Sequence, residues 1–241
     1  MVSSPFELMD VEYDPHETQV TKTNTASEGA LTEEEFEELI AGARDLDPIY
    51  DMIAEFIIVS MGRLGLRLGE LVHMKESWVD FDEQWINIPA HEKCTMGKDG
   101  GICGQCRQQA KQMAKTNDLP IEETEKLYWK AKTARAKRSV PYSFNDRFVN
   151  IVNKYFDEYD EFRGSYSAVR RRIDKAAEAS NLDTYHVKPH SLRATAATYH
   201  AGTGIDVWTL QAMMGWAYAN TAEHYIVNSA KRTRLVLEEH H

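Results

Sequence analysis

The chain predicts a mixed α+β fold, predominantly α-helical, with a small three-stranded antiparallel sheet. Three observations predict it. Apolar residues recur at helical spacing through most of the chain, as in Phe36, Leu39 and Ile40. Two short runs rich in Trp, Val, Phe and Ile (78–81 and 85–89) flank an Asp82-Glu83 turn, the pattern of a hairpin. A third such run, Ser139-Val140-Pro141-Tyr142, stands far downstream, and beyond it only helical periodicity follows.

Residues 1–30, rich in Ser, Thr, Asp and Glu and without periodicity, read as an N-terminal extension or linker. Thr32 opens the first helix, with Glu35 three positions on completing a capping box. A second helix covers 51–62, where Ile53, Phe56, Ile57 and Val59 are too apolar for anything but core. A third begins near Leu68 and carries Glu70, Leu71 and Val72. After the hairpin comes a polar, glycine-rich, cysteine-bearing stretch (91–106), then a helical segment from Arg107 to about Thr116. Leu127-Tyr128-Trp129 and 139–142 read as further strands joined by a basic turn. The remaining helices are expected at 144–157, 166–180, 191–202, 206–214 and 219–228. The expected organisation is one domain, 31–241, with a Cys-rich insertion at 91–126.

An apolar fraction of 42% is ordinary for a globular protein, which excludes wholesale disorder. No run of about 18 apolar residues would span a bilayer, and the N-terminus lacks the basic start and apolar stretch of a signal peptide. Three cysteines without a secretion signal indicate a reducing cytoplasm. The formal charge of −10 argues against a nucleic-acid partner until its distribution is considered. Residues 1–60 hold fifteen Asp/Glu against two Lys/Arg, which leaves 23 acids and 26 bases for the rest. Those bases cluster at Lys130, Lys132, Arg135, Lys137 and Arg138, at Arg170, Arg171, Arg172 and Lys175, and at Lys231, Arg232 and Arg234. A basic part that can face phosphates thus sits beside an acidic part that cannot. An acidic nucleic-acid binder implies a very salty cytoplasm, such as that of a haloarchaeon or its viruses and plasmids, where counterion release contributes little.

The chemistry concentrates in a few residues. His190 and Arg193, spaced i, i+3 at a helix start marked by Pro189, can face one bound group. An arginine fork matches phosphate oxygens, so Arg67 and Arg193 form a pair suited to clamping a phosphate. Lys132, on a basic hairpin turn, is placed to protonate a leaving oxygen. Trp216 offers an indole N–H after Gly215. Tyr225 is a nucleophile that needs a cationic site, because its ordinary pKa is about 10. Taken singly, each residue has a plainer explanation: an Arg67–Glu70 helix ion pair, a helix-terminal His190, a core Trp216, and an amphipathic-helix Tyr225 with Tyr218 and Tyr199 as rivals. The combination suits cutting a DNA strand, and no hydride, acyl or metal-hydrolase chemistry needs it.

In order and spacing these residues resemble the catalytic domain of the tyrosine recombinases, the lambda-integrase-type site-specific recombinases. The run Gly65-Leu66-Arg67-Leu68-Gly69-Glu70-Leu71 resembles that family's first box, with Arg67 its first arginine and Glu70 the supporting acid. Lys132-Thr133 followed by Arg138-Ser139-Val140-Pro141 resembles the lysine hairpin, His190-Ser191-Leu192-Arg193 the H-x-L-R box, Gly215-Trp216 the His/Trp position, and Tyr225 the nucleophile. The resemblance implies a recombinase fold, a 3′-phosphotyrosyl intermediate, no cofactor for catalysis, double-stranded DNA as partner, and a tetramer on paired sites. It further implies DNA contacts from Lys130, Arg135, Lys137, Arg138, Arg170, Arg171 and Arg172 and a nucleoid location. Ala194 departs from the pattern, standing where many members carry a second basic residue, and the usual helical core-binding domain does not precede residue 31. A type IB topoisomerase-like nicking-closing enzyme and a non-catalytic DNA-binding adaptor are the alternatives.

The insertion adds a separate signal. His91-x2-Cys94-x8-Cys103-x2-Cys106, interleaved with glycines, has the spacing of small zinc knuckles. Three thiolates and one imidazole would close a tetrahedron around a structural zinc, with Asp99 the alternative fourth ligand and free thiols in a loop the plainer reading.

Overall fold

A computed structural model describes residues 29–125, 129–131, 134–227, 229, 233–234 and 237–238. The expected N-terminal extension lies almost wholly outside the described residues, as do Leu127, Tyr128, Lys132, Lys231 and Arg232. Helix α1 (Glu33–Arg44) begins with the expected capping box: Thr32 Oγ1 accepts from Glu35 N at 3.2 Å, and Glu35 Oε2 accepts from Thr32 N at 2.8 Å. Helix α2 (Asp51–Gly62) is buried almost all round, so it forms the axis of the core. It packs against α1, α6 (Asp146–Glu158), α7 (Tyr166–Ala179) and α8 (Pro189–Gly202). Its Phe56 stacks on Tyr155 with centroids 3.8 Å apart and meets Phe156 edge-on. Burying each such ring contributes roughly 1.5–3 kcal/mol.

Strands β1 (Val79–Asp80), β2 (Trp85–Ile88) and β5 (Arg138–Pro141) form the three-stranded antiparallel sheet, in the order β1-β2-β5. Along β2, Trp85 and Asn87 face out while Ile86 and Ile88 face in, and Ile86 lies opposite Val140. Of the strand expected at 127–129, residues 127 and 128 lie outside the described residues. Its described part, β4 (Trp129–Lys130), pairs with β3 (His91–Glu92) as a separate two-stranded ribbon. β2 already has β1 and β5 on its two edges, which leaves it no edge for the ends of the insertion, and these pair with each other.

Helix α4 (Gly104–Asn117) starts before Arg107, because Cys103 caps it: Cys103 Sγ accepts from Cys106 N at 3.4 Å. A short α5 (Ile121–Glu125) that periodicity did not indicate follows. The candidate site is supplied by α3 (Leu68–Val72) together with α8, α9 (Val207–Met214) and α10 (Ala219–Val227) towards the C-terminus. Helices α8, α9 and α10 bury a second apolar cluster of Ala194, Ala197, Ala201, Leu210, Met214, Ala222 and Tyr225. Among the described residues, no helix is long and apolar enough to cross a membrane.

Candidate active site

Arg67 is the N-cap residue of α3, and Glu70 is that helix's third residue. The Glu70 carboxylate therefore reaches back to cap the helix, accepting from Arg67 N at 2.8 Å, and also takes a hydrogen bond from Arg67 Nη1 at 2.7 Å. Arg138 of β5 binds the same carboxylate through both forks, at 2.9 Å each. Four donors thus fill both oxygens of a side chain only 2% exposed. Burial alone would raise the Glu70 carboxyl, but Arg138, Arg67 and Arg193 hold it at about 2.

The arginines share a second target. Helix α9 ends in Gly215, whose φ of +62° turns the chain out of the helix. This leaves the Met213, Met214 and Gly215 carbonyls pointing past the helix end, where they accept from Arg138 Nε (2.7 Å), Arg193 Nη2 and Arg67 Nη2 (2.6 Å) respectively. Arg193 also donates to Gly65 O. Three guanidiniums from α3, β5 and α8 are thereby gathered on one helix C-terminus, the negative end of its dipole. Burial, then repulsion from Arg67, bring Arg193 down to about 9, partly offset by Glu70. One carboxylate against three guanidiniums leaves two positive charges for an incoming anion.

Above this layer opens a cleft of about 690 Å³, lined by Arg67, Glu70, Lys130, His190, Arg193 and Trp216 among others. Arg67 and Arg193 do not point into separate hollows; they meet in this one, and exposed His190 faces it from the second position of α8. Trp216 stands between charge and phenol, with the Arg193 guanidinium 5.9 Å from its ring centroid and Tyr225 stacked on the indole at 5.4 Å and 12°. Tyr225 is 6% exposed and packs behind Trp216 rather than lining the cleft. Burial pushes its phenol up, and Arg193 opposes that shift.

Lys132 lies outside the described residues, while Lys130 is exposed on the cleft wall. Arg135 and Lys137, both exposed, line an adjoining hollow with Trp208 and Trp216. Arg138, expected among the DNA contacts, turns inward. Its side chain is 6% exposed and is engaged by Glu70 and two carbonyls, so it braces the site from within. The α7 arginines are not brought to the cleft either. Arg170 binds Asp174 and the Thr184 carbonyl, and Arg172 lies over the Tyr50 ring, while Arg171 is exposed beside a different hollow.

The cysteines do converge, but with a different histidine. His73, Cys94, Cys103 and Cys106 place their ligand atoms within 4.8 Å of one another, whereas His91 and Asp99 are exposed and outside the group. No spacing rule points to His73, which is brought in by the end of α3.

Gly215 makes the arginine cluster testable. A Cβ there would meet Arg138 Cδ and Nη1 at 3.0 Å, in a backbone region that L-residues avoid. Gly215→Ala is expected to lower stability by about 1–3 kcal/mol, read as a shift in urea midpoint. An unchanged midpoint would show that the turn does not hold the arginines in place.

Residues 30–232 match the phage integrase family, and the chain belongs to that family. Among its relatives, it is 28% identical over 215 residues to the transposase of transposon Tn916 from Enterococcus faecalis, a match that covers 86% of this chain and 49% of the relative. The chain thus spans about half the length of that protein. By structure it resembles the XerA recombinase (TM-score 0.57, 21% identity, 88% of this chain and 62% of that one). It also resembles the Tn1549 transposon integrase in complex with circular intermediate DNA (TM-score 0.58, 17% identity, 88% and 67%). The two structures share the fold.

Proposed function

We propose that the chain is the catalytic part of a site-specific DNA recombinase. The carrying observation is the shared cleft: two uncompensated positive charges, His190 and Trp216 converge there, with a buried phenol directly behind the indole. Arg67 and Arg193 would clamp the non-bridging oxygens of a backbone phosphate, where one well-placed donor typically contributes about 3–4 kcal/mol to the transition state. His190 and the Trp216 N–H would complete the cradle. Tyr225 must leave its stack to attack. Its oxygen forms a bond to phosphorus as the bond to the 5′ oxygen breaks; the phenolic proton passes to solvent water, and Lys132 gives a proton to the leaving oxygen.

One ester is exchanged for another, so the energy is kept in the 3′-phosphotyrosyl link and neither ATP nor a catalytic metal is needed. The 5′ hydroxyl of a partner strand reverses the step. Lys130, Arg135, Lys137 and Arg171 are proposed phosphate contacts outside the cradle. We extend the reading to double-stranded DNA as substrate, with four copies on two paired sites. The formal charge of −10 leads us to propose a high-salt host as well, which requires DNA binding to persist above moderate salt.

The test is a duplex nicked near the cleavage point, so that the freed short strand diffuses away and traps the intermediate. A covalent protein–DNA adduct is expected, and peptide mapping should place the nucleotide on Tyr225. Cleavage without adduct, or an adduct mapped to Tyr218 or Tyr199, overturns the reading. Relaxation of supercoiled DNA lacking any special site would favour the nicking-closing alternative.

A further inference from the structure

We propose that His73, Cys94, Cys103 and Cys106 form a structural zinc site that clamps the Cys-rich insertion onto the helix bearing Glu70. The four ligand atoms come from two separated places: His73 closes α3, and the cysteines flank a glycine turn, Cys94 before it and Cys103 and Cys106 after it. The distances suit the ion. Zinc bonds of about 2.3 Å to sulfur and 2.0–2.1 Å to nitrogen give tetrahedral edges of about 3.8 Å between sulfurs and about 3.6 Å from sulfur to nitrogen. His73 Nε2 lies 3.3 Å from Cys106 Sγ and 3.7 Å from Cys103 Sγ.

The surroundings are arranged for ligation. Gly69 O, 2.8 Å from His73 Nδ1, can only accept, so the proton sits on Nδ1 and the Nε2 lone pair faces the sulfurs. Cys103 N donates to Cys94 Sγ at 3.3 Å and Cys106 N to Cys103 Sγ at 3.4 Å, so two backbone N–H groups support the sulfurs. Cys103 caps α4, so its sulfur also meets the positive end of that helix. Trp129 stacks on the His73 ring at 5.3 Å, and Tyr166 meets it edge-on at 6.2 Å, which shields the group. Gly97 lets the loop close, since a Cβ there would meet Ile102 O at 2.2 Å. With four protein ligands no position is left for water, so the site is structural.

Position gives the clamp a purpose. Gln105 and Gln109, on the helix that Cys103 caps, line the same cleft as Arg67 and His190. The metal would therefore fix one wall of the cleft to the α3 helix. Zinc binding itself does not depend on the recombinase reading, so the two can fail separately.

The test uses the full chain, purified under reducing conditions, with zinc analysis and cobalt(II) exchange. About one zinc per chain is expected, with a tetrahedral three-thiolate spectrum for the cobalt form. His73→Ala should weaken binding roughly tenfold or more, while His91→Ala and Asp99→Ala leave it unchanged. Because His73→Ala could simply misfold, His73→Cys provides a second reading: the stoichiometry is kept and the cobalt spectrum shifts to four thiolates. No zinc in the wild-type chain even with added metal, or loss on His91→Ala but not on His73→Ala, overturns the proposal. So does a cobalt spectrum unmoved by His73→Cys.

Discussion

Tyr225→Phe is expected to abolish the covalent DNA adduct while leaving the fold and DNA affinity nearly intact. The ring fills the apolar cluster of α8, α9 and α10 and stacks on Trp216, and phenylalanine keeps that volume and that stack. Losing the hydroxyl should therefore cost less than about 1.5 kcal/mol of stability. The chemistry has no such substitute, since the phosphorus–oxygen bond requires that oxygen. Affinity for duplex, set by cations that the substitution does not touch, should stay within roughly twofold. Tyr218→Phe, at a residue 73% exposed, serves as the control and should form adduct normally. An adduct that survives Tyr225→Phe would remove the nucleophile and with it the proposed mechanism. Burial holds the phenol in its neutral form, so the adduct should also form faster as pH rises from neutrality.

Glu70→Gln is expected to cost about 3 kcal/mol of stability at neutral pH. Two arguments agree on that size. Breaking one side of a buried ion pair costs about 3–5 kcal/mol, because the partner charges are left uncompensated. Independently, a carboxyl held at about 2 against its ordinary 4.5 contributes about 3 kcal/mol by linkage. The sign of the pH dependence follows from the depressed value. The contribution is fully present above about 4.5 and is lost as pH falls from there through about 2. Urea unfolding of wild type and variant at several pH values checks this, and the gap should close toward acid. A gap below about 1 kcal/mol at pH 7, or one constant down to pH 3, would show that Glu70 does not anchor the arginines.

Much of the fold was legible because local signals and tertiary structure agreed. The Thr32–Glu35 box caps α1 as its spacing indicates, and the apolar α2 and the alternation of β2 bury the residues that their patterns select. Pairing was less legible. The insertion's strands lie next to the hairpin in sequence, yet β2 gains its second partner from β5. Which strands meet depends on edges already occupied, a property of the assembled sheet.

The chain alone determined the chemical inventory: which side chains carry charge, lone pair or hydroxyl, and in what order. Their spacing was enough to nominate Arg67, His190, Arg193, Trp216 and Tyr225 together. Tertiary structure decided how each is used. It turned Arg138 inward, because the buried Glu70 carboxylate and the open carbonyls ending α9 need donors that only a nearby guanidinium supplies. It also set His73 rather than His91 among the cysteines, since His91 faces solvent from its strand while the end of α3 delivers a buried ring. Proximity along a chain fixes what can meet within a turn; packing and the need to satisfy every buried polar group fix the rest.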